Sequence, residues 1–401
     1  MTEAALAGVK ILEYSEMVSG PYCAKLLADL GAEVVKIEKP GAGDEARRRG
    51  PFPKDIPHPE RSGLFLYLNT SKLGITLNLE NPVGQDIFAR LVKDADILIE
   101  DTVPGTMGRL GLGYDRLKEI NPAIIVTSIT PYGQTGPYRE YKAHHLNIYH
   151  ASGQAQLSDR NKRRPGEAPL KGGGYVGDYD AGLSGAVATL GALYKCGLTG
   201  TGQHIDVSRQ EALISLDRVD IGIFANEGMT FAKERVGMLG GLMPCKDGYI
   251  VVSAPQQHQW EALVKLMGEP AWAIGEKCKD EFARAENIAE LQPLLEEWMM
   301  LHTRDEIYHR GQALGCPIAP VNSAAEVRES AQFRERRFFV DIQHPEAGTL
   351  SYPSAAYKLS ETPWQASRGA PLLGEHNHAI YCGRLGYTPE ELVRMRDAGN
   401  I

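Results

Sequence analysis

GVKILEYSEMVSGPYCAKLLADLGAEVVKIEKPGAGD, residues 8–44, holds the alternation that decides the fold. Residues 9–14 (VKILEY) are a short apolar run of the length a strand needs. Gly20-Pro21 then opens a helical stretch through 24–30, and Gly31 closes it. Residues 33–38 (EVVKIE) read as the next strand. The pattern continues outward. Val83, Ile87, Phe88 and Leu91 share one face of a helix over 82–95. Residues 96–100 (DILIE) and 123–129 (AIIVTSI) are further strands, with a helix over 114–120 between them. Strands that alternate with helices predict a parallel sheet covered by helices on both faces.

Beyond this core, residues 158–174 (SDRNKRRPGEAPLKGGG) have the composition of an exposed loop. A small-residue helix over 181–194 follows, then a turn at 197–202, a strand over 203–207 and a helix over 210–224. Glycine and polar residues at 226–242 read as a linker. A smaller α/β unit spans 243–325, with a strand at 249–253 and a helix at 257–267. The segment 326–401 is rich in proline and histidine and ends in a helix over 389–397. The organisation expected is therefore 1–225, linker, 243–325 and 326–401, in keeping with the two domains that 401 residues suggest.

The net charge of −8 argues against nucleic acid as the main partner, since duplex binding leans on Lys and Arg. The six cysteines are widely spaced with no CxxC, so neither a disulfide framework nor a structural zinc site is expected. The N-terminus shows no charged-then-apolar leader, and no uncharged apolar run reaches the ~18 residues of a membrane span. A cytoplasmic protein without a membrane partner is the expectation.

Common catalytic signatures are missing. Glu38 ends the second strand where an acid would hold a ribose, but the first turn, SEMVSGP at 15–21, lacks the glycines of a dinucleotide loop. GxSxG, HExxH and the P-loop lysine motif do not occur. His144-His145 are adjacent and have no third ligand placed by spacing, so no metal is assigned. GDYDAG at 177–182 is more informative. Two acids stand at the start of a small-residue helix, where the helix dipole favours negative charge. One of them can cap the helix while the other is free for chemistry.

Taken in order, several segments resemble the class III coenzyme A transferases, the family of the formyl-CoA and crotonobetainyl-CoA:carnitine transferases. They are LADLGAEVVKIEKPGAGD (27–44), LNTSKLGITLNLENPVG (68–84), ADILIEDTVPGTMGRLGLGYDRLKEINP (95–122), SITPYGQTGPY (128–138), GDYDAG, TGTGQHIDVSRQEA (199–212) and APLLGEHN (370–377). The resemblance covers nearly the whole chain. It implies a large doubly wound, Rossmann-like α/β domain, a smaller α/β domain, a C-terminal segment that returns to the large one, and an interlocked homodimer. It implies that Asp178 attacks the thioester of an acyl-CoA donor and carries first a mixed anhydride and then an aspartyl-CoA thioester, before CoA passes to a small carboxylic acid acceptor. CoA is substrate there, and no prosthetic group is implied. Gly240 and Gly241 match the glycine loop that covers the intermediate and donates to the oxyanion.

The same resemblance assigns the CoA pocket to Val18 and Ser19, Lys39, Leu77, Asn78, Leu79 and Glu80, Asp101, Thr102 and Val103, Arg109, Lys142, Ala143 and His145. Lys39, Arg109 and Lys142 would converge on phosphates. Asn78 and Glu80 depart from the usual Asp and Lys. A further departure is His144-His145-Leu146-Asn147, where the related α-methylacyl-CoA racemases carry GHDxN. His144 with Asp178 as an acid/base pair is therefore the alternative, and a non-enzymatic acyl-CoA-binding protein a third. The histidines and the basic residues of 160–164 suggest acids that bear carboxylates; the donor and acceptor are not legible.

Overall fold

The computed structural model describes residues 4–158, 168–216, 218–228, 239–366 and 368–401. The basic residues of 160–164 and the glycine at 237 lie outside them. The chain divides into two units, Met1–Gly222 with Arg337–Ile401, and Ile223–Arg336.

The first unit is built on six strands: β1 (Lys10–Tyr14), β2 (Glu33–Glu38), β3 (Lys72–Thr76), β4 (Ile97–Glu100), β5 (Ile125–Thr130) and β6 (His204–Ser208). Their order is β3-β2-β1-β4-β5-β6, and every neighbouring pair is parallel. The apolar runs explain this, because strands buried on both faces need side chains of both parities to be apolar. Leu12, Val35, Ile37, Ile75, Leu98 and Val126 face one core, packed with Ile87, Phe88 and Leu91 of the helix Pro82–Val92. Ile11, Val34, Ile97, Ile99 and Ile125 face the other. Each fully buried aliphatic side chain contributes about 1.5–3 kcal/mol.

That second core is closed by two helices, α1 (Ser19–Ala28) and α2 (Val176–Thr199). Small residues let them approach. A Cβ on Gly182 would stand 2.6 Å from the Ser19 carbonyl oxygen, and one on Gly185 would stand 2.9 Å from Ile129. The sequence pattern starts this helix at 181. The structure starts it at Val176, so Asp178 lies inside the first turn. The helix expected over 210–224 is met by helical residues at Arg209–Leu216 and Arg218–Glu227.

β3 escaped the sequence reading because Lys72 and Gly74 interrupt its apolar pattern. Both residues are explained by what covers them. The C-terminal segment lies along this edge strand: the His376 N–H donates to the Gly74 carbonyl at 2.9 Å, the Thr76 N–H to Asn377 Oδ1 at 2.9 Å, and the Tyr381 hydroxyl to the Thr76 carbonyl at 2.6 Å. A side chain at position 74 would strike Pro371 at 2.8 Å. The GEHN motif thus blunts a sheet edge. A hairpin of β10 (Phe339–His344) and β11 (Gly348–Pro353), not foreseen in the proline-rich segment, also belongs to this unit.

Lys72 is fully buried for a second reason. Its Nζ lies 2.6 Å from Glu13 Oε2. Lys36 Nζ lies 2.9 Å from Glu13 Oε1 and 2.9 Å from Asp44 Oδ2. All four side chains are sealed from solvent. Burial raises the Glu13 carboxyl, but Lys36 and Lys72 outweigh it and hold its pKa below the usual value. Burial, together with the like charge of Lys36, brings Lys72 down to about 8 in spite of Glu13.

The second unit has an antiparallel sheet, order β7-β8-β9: β7 (Gly240–Cys245), β8 (Gly248–Ser253) and β9 (Ile318–Pro320). Trp260, Leu263, Leu291, Leu295, Met299 and Ile307 from its helices pack on Ile250, Val252 and Ile318.

Removing one member of the buried charge cluster leaves another uncompensated. K72M is expected to lower unfolding free energy by about 3–5 kcal/mol. E13L/K72M should lose less than the sum of the two single changes by at least ~1 kcal/mol in urea titrations. Additive losses would show that Glu13 and Lys72 do not depend on each other.

Candidate active site

β1 and β4 are neighbours in the sheet, and the chain leaves β1 toward β2 on one side while β4 leads to β5 on the other. Open parallel sheets bind ligands at the carboxyl ends of such a pair, because the two loops diverge and leave a crevice. A cavity of about 540 Å³ occupies this position. Its walls are the loop after β1 (Ser15 to Ser19), the β4 end (Asp101 to Val103), Lys39, and Ala143 to His145 with Tyr175, Asp178 and Arg209.

The loop after β1 is held from below. Met17 takes φ +64°, a conformation that L side chains rarely adopt. Its N–H donates to Asp44 Oδ1 at 2.9 Å. Asp44 is held in turn by Lys36 and by its own N–H, which donates to Glu38 Oε2 at 2.9 Å. Glu38, the would-be ribose ligand, is instead committed to Arg47, whose Nε and Nη2 donate to it at 2.7 and 2.8 Å. Asp101 takes the Glu16 N–H on both carboxylate oxygens, at 3.1 and 3.2 Å. Burial, with Glu100 and Asp44 nearby, pushes Asp101 well above the usual carboxylate range. Ser19 Oγ lines the cavity, buried and without a hydrogen-bond partner among the described residues.

Asp178 is 6% exposed. It sits in the first turn of α2, whose free N–H groups favour negative charge. Arg209, the first residue after β6, donates from Nη1 to Asp178 Oδ1 at 3.0 Å. Sequence reasoning passed over Arg209 even though it lies within the quoted 199–212 segment; the signal available was its place at the carboxyl end of a parallel strand. The His145 ring stands edge-on to Tyr175, centroids 4.9 Å apart. Burial lowers the His145 pKa below its usual value, against the pull of Asp178 and with the help of Lys171, His144 and Arg209. His144 precedes the helix His145–Ala151, exposed at the cavity wall, and its N–H donates to Asn147 Oδ1 at 3.0 Å.

Ten of the residues singled out from sequence thus line one cavity: Val18, Ser19, Lys39, Asp101, Thr102, Val103, Ala143, His144, His145 and Asp178. The others lie elsewhere. Leu77 and Leu79 point into the hydrophobic core under the sheet. Asn78 donates its side-chain N–H to the Gly399 carbonyl at 3.3 Å and anchors the C-terminal tail. Glu80 and Arg109 form an exposed ion pair at 3.9 Å. Lys142 is exposed and outside the cavity wall. Gly240 and Gly241 open β7 in the second unit, and the Gly240 N–H donates to Gln292 Oε1 at 3.0 Å.

The family model for CoA-transferase family III matches residues 6–377. This chain belongs to that family. It is an enzyme of the CoA-transferase class. The formyl-CoA:oxalate CoA-transferase of Streptomyces coelicolor is 32% identical over 424 residues, covering 100% of both chains. That of Bradyrhizobium is 32% identical over 426 residues, covering 99% of this chain and 97% of its own. Among solved structures, a CaiB/BaiF family protein from Brucella suis superposes with a TM-score of 0.84 at 28% identity, over 95% of this chain and 99% of that one. A protein from Mycobacterium tuberculosis does so with 0.81 at 26% identity, over 94% and 99%.

The electrostatic coupling of His145 to this transferase's carboxylate has a measurable sign. The Asp178 charge raises the His145 pKa and Arg209 lowers it, so D178N should move the His145 titration down and R209M should move it up. Histidine ring resonances followed by NMR across pH 4–8 test this (the window brackets the ordinary imidazole pKa of about 6.5). A His145 titration indifferent to both changes would place the ring outside the field of the pair.

Proposed function

We propose that the enzyme transfers CoA from an acyl-CoA donor to a carboxylic acid, with Asp178 as the covalent carrier. The observation that supports this best is the position of Asp178: a nearly buried carboxylate, on a helix N-terminus, at the wall of the cavity at the sheet's switch point. The Asp178 carboxylate attacks the thioester carbonyl, the C–S bond breaks, and CoA leaves as thiolate. The thiolate then opens the mixed anhydride at the aspartyl carbonyl, which releases the donor acid and leaves an aspartyl-CoA thioester. Splitting the exchange in this way keeps the acyl activation in a site that excludes water. The donor and acceptor names printed for the relatives, formyl-CoA and oxalate, make these the first pair to assay.

In this reading the loop after β1, with Ser19 Oγ free to donate, borders CoA, and Lys39 at the rim faces phosphate. Gly240 and Gly241 have φ of +106° and +76°, conformations open to glycine. The strand order, with helices against both faces, supports a doubly wound domain. A homodimer is part of the same reading. Leu183, Val187, Tyr194 and Leu198 form an exposed apolar stripe along α2, with Tyr194 and Leu198 more than 70% exposed. No helix among the described residues is long and apolar enough to cross a membrane, and a cytoplasmic enzyme is proposed.

D178A is expected to fold and to lose CoA transfer by about 10³-fold or more. Wild-type enzyme incubated with acyl-CoA and then hydroxylamine should carry a hydroxamate at Asp178, found by peptide mass mapping. H144A should stay within about tenfold of wild type, since a transferase has no α-proton to move. Transfer by D178A within tenfold of wild type would overturn the assignment. Rapid α-deuteration of a 2-methylacyl-CoA, abolished by H144A, would replace it with racemase chemistry.

A further inference from the structure

The ion pair between Arg209 and Asp178 raises a chemical problem. Asp178 loses its negative charge each time it becomes an anhydride or a thioester. Arg209 cannot lose its positive charge, because a guanidinium stays protonated in proteins. The Arg209 side chain is only 18% exposed, so it cannot fall back on bulk water once its partner is consumed. It also has donor capacity in reserve. Nη1 serves Asp178, while Nε is buried with no hydrogen-bond partner among the described residues.

We propose that Arg209 alternates between two anions: the Asp178 carboxylate in the resting enzyme, and the carboxylate of the acceptor acid once Asp178 is esterified to CoA. This rests on the reading of Asp178 as the covalent carrier. Three other carboxylates of the cavity wall do not compete for the role. Glu38 is committed to Arg47, Asp44 to Lys36 and the Met17 N–H, and Asp101 to the Glu16 N–H. Arg209, already in contact with Asp178, is the cation placed to meet an incoming acid at the aspartyl carbonyl.

The charge moves in a closed circuit. The acid's carboxylate oxygen, docked on Arg209, attacks the aspartyl-CoA carbonyl carbon. The C–S bond breaks, CoA leaves as thiolate, and a mixed anhydride joins the acid to Asp178. The thiolate then attacks the acid's carbonyl carbon, the C–O bond to Asp178 breaks, and the regenerated Asp178 carboxylate pairs with Arg209 again. One negative charge passes from acid to thiolate to Asp178, and no proton or co-reactant is needed. Docking through a guanidinium edge also orients the carboxylate, because its fork matches two oxygens.

The half-reactions separate the roles. Enzyme is mixed with formyl-CoA alone and the modified fraction at Asp178 is read by intact-protein mass spectrometry; oxalate is then added and the decay of the adduct followed. R209M should still form the adduct, whereas the oxalate-dependent decay should slow about 10–100-fold and half-saturate at correspondingly higher oxalate, the worth of one charge-assisted contact. R209K, which keeps the charge, should recover part of the decay rate and of the half-saturation. Thermal melts check folding, and R209Q carries the same expectation as R209M. Decay at the wild-type rate and half-saturation in R209M and R209Q would overturn the proposal, because Arg209 would then only hold Asp178. An adduct absent from wild-type enzyme with a donor that supports full turnover would overturn the Asp178 reading itself, a failure visible before any Arg209 variant is compared.

Discussion

Lys36 is the residue on which the site's geometry depends. Fully buried on β2, it joins Glu13 of β1 to Asp44 of the loop after β2, and its Nζ also donates to the Ser15 carbonyl at 2.9 Å. Glu13 extends the bond to Lys72 on β3, so three adjacent strands share one charge cluster. Such a cluster is weak evidence for net stability, since desolvation of each ion costs several kcal/mol. Its effect here is positional. Asp44, fixed by Lys36, holds the Met17 N–H and keeps the loop after β1 in a backbone conformation that it would otherwise avoid. That loop is one wall of the cavity.

The opposite wall depends on packing instead. Gly182 and Gly185 let α2 sit against α1 and β5, which places the first turn of α2 beside the carboxyl ends of the strands. Asp178 then meets Arg209 from the end of β6. The same small residues that make the helix contact tight therefore put the carboxylate where the sheet's crevice is. A polar cluster and an apolar contact, on opposite sides of the cavity, each supply one half of the site.

Much of the fold could be read in the residues because its strands are buried on both faces. Runs such as EVVKIE and DILIE have little choice of environment, and β2 agrees with its expected limits residue for residue. β3 was hidden because its burial is ionic: Lys72 reads as a surface residue until Glu13 is seen opposite it. Asp178 is legible in the GDYDAG step and its place before a helix, whereas Arg209, two residues from Glu211, reads in sequence as an ordinary solvated charge. Leu77 and Leu79 show the reverse error of scale. The segment 77–80 adds no residue to the cavity lining, and alternation along an extended chain turns those two side chains into the core. Contacts between residues far apart in sequence decide the cases of Lys72 and Arg209, and local alternation decides that of the two leucines.

If Asp178 is the covalent carrier, one of its oxygens takes part in every turnover, which isotope exchange can follow. The acceptor acid, labelled with ¹⁸O in its carboxylate, is turned over with acyl-CoA in unlabelled water, and the peptide that contains Asp178 is then weighed. The covalent route puts ¹⁸O in the Asp178 carboxylate, because the bond that regenerates it breaks on the side of the acid's carbonyl. It also requires the label to pass on to the released donor acid in later turnovers. Full turnover with no label in Asp178, the ¹⁸O that the acceptor loses passing straight to the released donor acid from the first turnover, would contradict it.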